Sequence, residues 1–249
     1  MPWSKRSCGP WPELVATYKT RAIVLGRHNL GEADRIVAIF TLEHGKLRVV
    51  AKGVRKALSR QAGHIEPFSE VELMLAEGRN LDIITSARLA WYPGELTADY
   101  AQLQLAFTFV RMVERLTDDN HAAANVYKLL SYGLHWLNDH GASPTLELFF
   151  KLRLLGDLGY RPKLDECAVC GGRLDGIYAS PEHGGMVCGE HHVGGESELS
   201  ANQLGLWRRL QAEGLEASAP GDDALALATT VICDTFYQYV FGRSFTQVS

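Results

Sequence analysis

The sequence predicts an α+β protein in which a small β module precedes a helical body that carries a metal-binding insert. Runs of β-branched and aromatic residues fill residues 18–93, apolar residues then recur at helical spacing, and Cys and His residues cluster within the helical part. A chain of 249 residues with 46% hydrophobic content can bury a substantial core. No stretch approaches the roughly 18–20 consecutive apolar residues that cross a bilayer, so we expect a cytoplasmic protein.

Five short strands predict the β module. Residues 1–17 are expected to form a flexible extension, since their Trp-Pro, Pro-Trp and Gly-Pro pairs leave little room for regular structure. Within residues 18–93 the strand-forming runs are TRAIVLGR, DRIVAIFT, KLRVVAKGV, SEVELML and LDIITSARLAW. The segments between them are too short for crossover helices, which favours an antiparallel sheet closed on itself. An oligonucleotide-binding (OB) fold barrel is the common small solution, and an SH3-like barrel remains the alternative.

The helical body is predicted in two parts. Residues 94–164 contain three stretches with apolar residues three and four positions apart, and residues 196–249 contain two more. Ser143 and Pro144 supply an N-cap and a first-turn proline for the third helix. The last stretch is the more apolar of the closing pair, so the sequence predicts that it is buried, with Cys233 as a small core residue.

Charge is distributed unevenly between the two regions. Residues 1–93 hold 14 Lys+Arg against 9 Asp+Glu, whereas residues 94–249 hold 11 against 20, which gives net charges of +5 and −9. A basic module on an acidic body indicates a polyanionic partner for the module. The excess is concentrated in HGKLRVVAKGVRKALSR, residues 44–60, which carries six basic side chains and no acidic one.

These basic side chains are candidates for contacts with phosphate groups. Alternation along the third strand directs Lys46, Arg48 and Lys52 to one face, opposite Leu47 and Val49. Cations on such a face can follow a nucleic-acid backbone and bind it without reading its sequence. The barrel has few aromatic residues on which bases could stack, which also favours backbone contacts. The predicted DNA-binding residues are Lys46, Arg48, Lys52, Arg55, Lys56 and Arg60, and Lys19, Arg21, Arg27 and Arg35 extend the track.

The insert predicted at residues 165–195 has the spacing of a zinc site. A CxxC pair is followed, seventeen residues later, by a CxxH pair, and two such pairs can present four ligands to one tetrahedral ion. His192 and His183 are alternatives for the fourth ligand. Because four protein ligands leave no position for water or substrate, we expect the zinc ion to be structural. The predicted ligands are Cys167, Cys170, Cys188 and His191.

The sequence matches no common catalytic template. It contains no HExxH or GxSxG motif, and GRHNLGE at residues 26–32 has Glu where a phosphate-binding loop needs Lys. The signature of zinc deaminases is also incomplete, because no HxE precedes the CxxC pair. We therefore expect a protein that is not an enzyme. The alternatives are an interaction scaffold, in which the basic face docks an acidic protein, and a zinc enzyme.

Three segments of the chain resemble the RecO family of bacterial recombination mediators. They are AKGVRK at Ala51–Lys56, IEPFSEVEL at Ile65–Leu73 and the pattern LGxxPxLxxCxxCG at Leu158–Gly171. The likeness runs from Tyr18 to Phe241. Members of the family usually have a fourth cysteine where this chain has His191, and that substitution is chemically sound for zinc.

The resemblance implies both a fold and a function. The implied fold is an OB barrel, a helical domain and a zinc-binding insert. The implied protein binds single- and double-stranded DNA, anneals complementary strands and works in the cytoplasm at the nucleoid. The implied partners are RecR and single-stranded-DNA-binding protein, whose acidic tail the family contacts when it loads RecA on covered DNA.

Overall fold

A closed barrel and a helical body make up the computed structural model, which describes residues 16–55 and 62–242. The barrel order is β1-β2-β3-β5-β4, with β4 returning to β1. All neighbouring strands are antiparallel except β3 and β5, which run parallel. This order is that of the OB fold, so the predicted barrel is confirmed, although the sheet is not wholly antiparallel. The strands are β1 (Thr17–Leu30), β2 (Asp34–Thr41), β3 (Gly45–Ala51), β4 (Glu70–Ala76) and β5 (Asp82–Trp91).

The two faces of the barrel strands bury their side chains in different places. In β3, Leu47 and Val49 point inward and are buried, whereas Arg48 between them is exposed. The inward set forms a core of its own inside the barrel. On β2, the outward-facing Ala38 and Phe40 are also buried, but they belong to the core of the helical body. One side of the barrel wall is therefore covered by helices.

Five α-helices form the body within the part of the chain that the structure describes. Asp99, Ser143 and Ser200 cap three of them by accepting hydrogen bonds from backbone N–H groups in the first turn. The rings of Phe109 and Phe150 stack at a centroid distance of 3.9 Å in the shared core. The helices are α1 (Tyr100–Leu116), α2 (Ala124–His140), α3 (Pro144–Asp157), α4 (Ala201–Ala212) and α5 (Asp222–Phe241).

A three-stranded sheet lies between α3 and α4 in the chain and carries the predicted insert. Its order is β7-β6-β8, with β6 (Tyr178–Ser180), β7 (Gly185–Val187) and β8 (Ser197–Glu198). Ala179 and Met186 from this sheet are buried in the main helical core. The insert is therefore packed against the body.

Two sequence predictions need correction here. Of the flexible extension predicted at residues 1–17, residues 1–15 lie outside the described residues. Thr17 is the first residue of β1 and so does not belong to an extension. Helix α5 is not fully buried, because only one of its faces packs against α3 and α4. By length and composition alone α5 could cross a membrane, but its buried face belongs to the core of the body. Cys233 is buried on that face, as predicted.

Candidate metal centre and nucleic-acid interface

The four predicted zinc ligands lie together at two tight turns. The first turn follows Cys167, whose carbonyl accepts a hydrogen bond from Gly171 N–H, and Gly171 adopts a positive φ of 69°. The second is a 3₁₀ turn in which His191 N–H donates to the Cys188 carbonyl. The potential ligand atoms of Cys167, Cys170, Cys188 and His191 all lie within 4.8 Å of one another. The spacing prediction is thereby confirmed as a Cys₃His group that could hold a metal ion.

The geometry and the chemistry of this group fit zinc. His191 Nδ1 lies 3.2 Å from Cys188 Sγ and 3.9 Å from Cys167 Sγ. Tetrahedral zinc, with bonds of about 2.3 Å to sulfur and 2.0 Å to nitrogen, would separate such atoms by roughly 3.5–3.8 Å. Three soft sulfur donors with one imidazole are a typical zinc set. With all four positions taken by protein, the group has no vacancy for a substrate.

The other two candidate histidines bind elsewhere. His192 Nδ1 lies 2.9 Å from Glu196 Oε2, and its ring stacks on Tyr178. His183 Nδ1 lies 2.9 Å from Ser180 Oγ. Neither ring is in the Cys₃His group, so of the three histidines His191 is the one placed with the cysteines that could hold a metal ion.

Backbone N–H groups prepare the site for metal. Burial opposes ionisation of the Cys167 thiol, but hydrogen bonds from the N–H groups of Cys170, Cys188 and Val169 outweigh it and lower the pKa of Cys167 to about 6. Asp175 Oδ1 supports the second turn by accepting from the N–H of Gly189 at 3.0 Å. Asp175 was missed in the sequence, where its only signal is an Asp-Gly pair between the ligand pairs.

Three of the basic candidates are exposed on β3 and in the turn that follows it. Arg48 is exposed on β3, and Lys52 and Arg55 are exposed in the turn that follows. Arg55 also donates to the Gly31 carbonyl at 2.8 Å, which ties this turn to the β1–β2 loop. Among the described residues none of the three has an acidic partner within ion-pair distance. Lys56 and Arg60 lie outside the described residues.

Two of the four candidates on β1 and β2 are engaged by acidic neighbours. Arg27 forms an ion pair with Glu66, and Arg21 lies 3.9 Å from Glu72, which also pairs with Arg88. Lys19 is exposed on β1. Arg35 is half-buried, and its Nε has no hydrogen-bond partner in the described part of the chain. Pairing with carboxylates reduces the positive potential along this part of the predicted track.

Lys46 is a correction to the predicted DNA-binding set. Its side chain is only 12% exposed, and its ammonium lies 3.1 Å from Asp119. It donates to the carbonyl oxygens of Glu114 at 2.6 Å and Thr117 at 2.7 Å, at the C-terminal end of α1. A cation there satisfies orphan carbonyls and the negative end of the helix dipole. Lys46 therefore fastens the barrel to the body. It lies at the start of β3, where the outward face of that strand meets the helical body.

Further contacts close the same junction and were not foreseen from the sequence. Gly45 approaches the loop after α1 so closely that a Cβ would lie 1.8 Å from the His121 carbonyl oxygen. On the β4–β5 side, Glu70 accepts a hydrogen bond from Ser131 and lies 3.3 Å from His135 Nε2. Such pairs form between segments far apart in sequence, so local patterns do not reveal them.

The fold and the Cys₃His group define a class of protein: an OB barrel fastened to a helical body with a metal-binding insert. A family model described as "Recombination protein O N terminal" matches residues 15–92, and one described as "Recombination protein O C terminal" matches residues 97–247. The protein named "DNA repair protein RecO" from Bifidobacterium longum is 36% identical over 72% of this chain and 76% of its own length. The protein of the same name from Nocardioides sp. is 37% identical over 78% of this chain and 82% of its own length. The one from Roseiflexus sp. is 39% identical over 81% of this chain and 72% of its own length.

The chain belongs to the RecO family. Together the two matched models span the described chain from the barrel to the end of α5. Membership gives the protein a role in recombination repair and implies interaction with DNA. The resemblance predicted from the three sequence segments is thereby confirmed.

Proposed function

We propose that the protein binds single- and double-stranded DNA independently of sequence through Arg48 on β3 and through Lys52 and Arg55 in the turn that follows. The observation that carries this proposal is that these three cations are exposed, close in sequence and without acidic partners among the described residues. Each can neutralise a phosphate and release its counterion, which favours binding and makes it depend strongly on salt. No base needs to be read, so bound strands keep their pairing edges free.

The proposed activities are the annealing of complementary DNA strands and the mediation of recombination. Complementary strands repel through their phosphates, and a protein that neutralises both raises their effective concentration without making or breaking bonds. The protein would therefore not be an enzyme. With RecR it would load RecA on DNA covered by single-stranded-DNA-binding protein, after contacting that protein's acidic tail, in the cytoplasm at the nucleoid.

The proposed role of zinc is structural. Cys167, Cys170, Cys188 and His191 would hold it and keep the two turns of the insert closed. A bound ion supplies folding free energy that a sheet with strands of two or three residues lacks.

Annealing of complementary oligonucleotides by the purified protein tests the proposal. Without nucleotide or added magnesium, the protein should accelerate annealing, and rising salt should abolish the acceleration because phosphate contacts are screened. Unlabelled DNA should compete for the binding face. An absence of acceleration at low salt, with correctly folded protein, would contradict the proposal; an acidic peptide that competes where DNA does not would favour the interaction scaffold.

A further inference from the structure

The turn that follows β3 carries two of the proposed DNA-binding cations on a fixed backbone. We call residues 52–55 the basic turn. Lys52 and Arg55 at its two ends are exposed, whereas Val54 is buried in the core of the barrel. Gly53 adopts a positive φ of 65°, a conformation that glycine tolerates without strain. The inner side chain therefore anchors the basic turn, and the outer side chains present the two charges to solvent.

Three hydrogen bonds tie the basic turn to the connection between β1 and β2. Arg55 N–H donates to the Ala33 carbonyl at 3.0 Å, and Arg55 Nη1 donates to the Gly31 carbonyl at 2.8 Å. Gly53 N–H donates to Asp34 Oδ1 at 2.7 Å. The first two bonds end on backbone carbonyls, which every residue type provides. The bond to Asp34 is the one of the three whose acceptor depends on the identity of a side chain.

The charge of Asp34 is unfavourable at this place for a protein that binds a polyanion. Within the described residues its carboxylate has no ion-pair partner, so the charge is not neutralised by a nearby cation. Beside the basic turn it repels an approaching phosphate. The carboxylate can still favour binding through its hydrogen bond to Gly53. A bond to a charged acceptor is stronger than one to a neutral acceptor, so it keeps the turn ordered before DNA arrives.

We propose that Asp34 is a positioning residue for DNA binding, which holds Lys52 and Arg55 in place through the N–H group of Gly53. This inference rests on the proposed function, because it assigns Asp34 to the site that those two cations form. Without the side-chain acceptor, the N–H group bonds to water and the turn gains conformations. Binding must then order the turn, and the lost conformational entropy lowers the affinity for DNA. The positioning effect of Asp34 is thus opposite in sign to the effect of its charge.

Two substitutions at Asp34 in the full-length chain separate positioning from charge. Asp34→Asn keeps an oxygen that can accept from Gly53 but removes the charge, so a labelled oligothymidine strand should bind about twofold more tightly at low salt. Asp34→Ala removes the acceptor as well, and it should weaken binding roughly fivefold although the repulsive charge is also gone. Fluorescence anisotropy of the labelled strand measures both affinities.

The matched control is Glu32→Ala in the same connection between β1 and β2. Glu32 is exposed, and within the described chain its side chain has no hydrogen bond or ion pair. Its removal takes away a negative charge near the basic turn but no support for the turn. Glu32→Ala should therefore tighten binding slightly, as Asp34→Asn does, and it should not weaken binding as Asp34→Ala does.

A second background shows whether Asp34 acts through the two cations. In a chain that carries Lys52→Gln and Arg55→Gln, adding Asp34→Ala should no longer weaken binding of the oligothymidine strand, because no cation of the turn is left to position. A role confined to the fold of the barrel would lower affinity by the same factor in both backgrounds. Circular dichroism and chemical denaturation confirm that each variant is folded where its affinity is measured.

Three results would overturn the positioning role. They are a folded Asp34→Ala chain that binds DNA as tightly as the natural chain, equal weakening by Asp34→Ala in both backgrounds, and an Asp34→Asn chain that binds more weakly than the natural one. If Asp34→Ala does not fold, the sign of the Asp34→Asn effect decides alone. The proposed function fails separately, if the chain with Lys52→Gln and Arg55→Gln binds DNA as tightly as the natural chain. A loss of affinity in that chain with no effect of Asp34→Ala in the natural background contradicts the positioning role only.

Discussion

The barrel and the helical body use charged side chains in opposite ways. On β3 and in the turn that follows it, Arg48 and Lys52 are exposed and have no ion-pair partner among the described residues. In the body, Lys151 is completely buried and lies 2.7 Å from Glu147 and 2.8 Å from Asp234. Charges left in water remain available to a ligand, whereas charges paired in a core are committed to the fold. The comparison supports the proposal that the barrel binds DNA and that the body supports the barrel.

Of the changes predicted here, loss of the metal should lower the stability of the helical body the most. Cys167→Ser should release zinc and lower the local stability of residues 160–195 by several kcal/mol, since structural zinc contributes about 10 kcal/mol or more in isolated finger peptides. Metal analysis and hydrogen exchange measure both effects. Protection within the barrel should not change, because its core is separate.

The control for the metal prediction is His183→Ala. This histidine contacts Ser180 rather than the Cys₃His group, so zinc content should stay the same. Loss of zinc from this variant, or retention of zinc by the Cys167 variant, would show that the ligand set is wrong.

Breaking the buried ion network should have the next largest effect. Lys151→Met leaves Glu147 and Asp234 without their cation and should destabilise the protein by about 3–5 kcal/mol. Burial raises the pKa of Asp234, and the Lys151 ammonium opposes this shift. Without the ammonium, Asp234 should protonate more readily, so the loss should shrink as pH falls. Chemical denaturation of both proteins at several pH values measures how this loss of stability depends on pH.

A double variant provides the control for this network. Adding Asp234→Asn to Lys151→Met removes the charge that was left unpaired, so it should recover part of the lost stability. Equal stabilities of the single and double variants would mean that the network contributes nothing by charge.

A smaller effect should separate Lys46 from its neighbour Arg48. Lys46→Met removes hydrogen bonds to two carbonyls at the end of α1 and should lower the free energy of unfolding by about 2 kcal/mol. Arg48→Met, on the same face of β3 but exposed to solvent, should change stability little but weaken DNA binding. A Lys46 variant with unchanged stability and weakened DNA binding would restore Lys46 to the DNA-binding set.

Local patterns in the sequence predicted the elements well. Alternating burial marks β3, helical spacing marks α1 to α5, and the ligand spacing identifies Cys167, Cys170 and Cys188 because two tight turns suffice to build the site. These features depend on residues that are near one another in the chain. The sequence could therefore predict the barrel strands, the helices and the metal group.

Contacts between distant segments could not be predicted in the same way. Lys46 resembles Arg48 in the sequence, and only the docking of β3 against α1 separates their roles. The parallel pairing of β3 with β5 closes the barrel through non-local contacts. The apolar composition of α5 predicted burial, but composition does not show that one face is left without a partner within the described chain.

The salt dependence of single-stranded DNA binding tests the central claim most directly. A variant with Arg48, Lys52 and Arg55 all replaced by Gln should reduce the slope of log affinity against log salt by about 2, at ~0.7 for each lost phosphate contact. The matched control replaces three exposed cations of the body, Arg111, Lys128 and Arg161, by Gln and should keep the natural slope. Equal slopes for the natural chain and the barrel variant, or a loss confined to the body variant, would contradict the account.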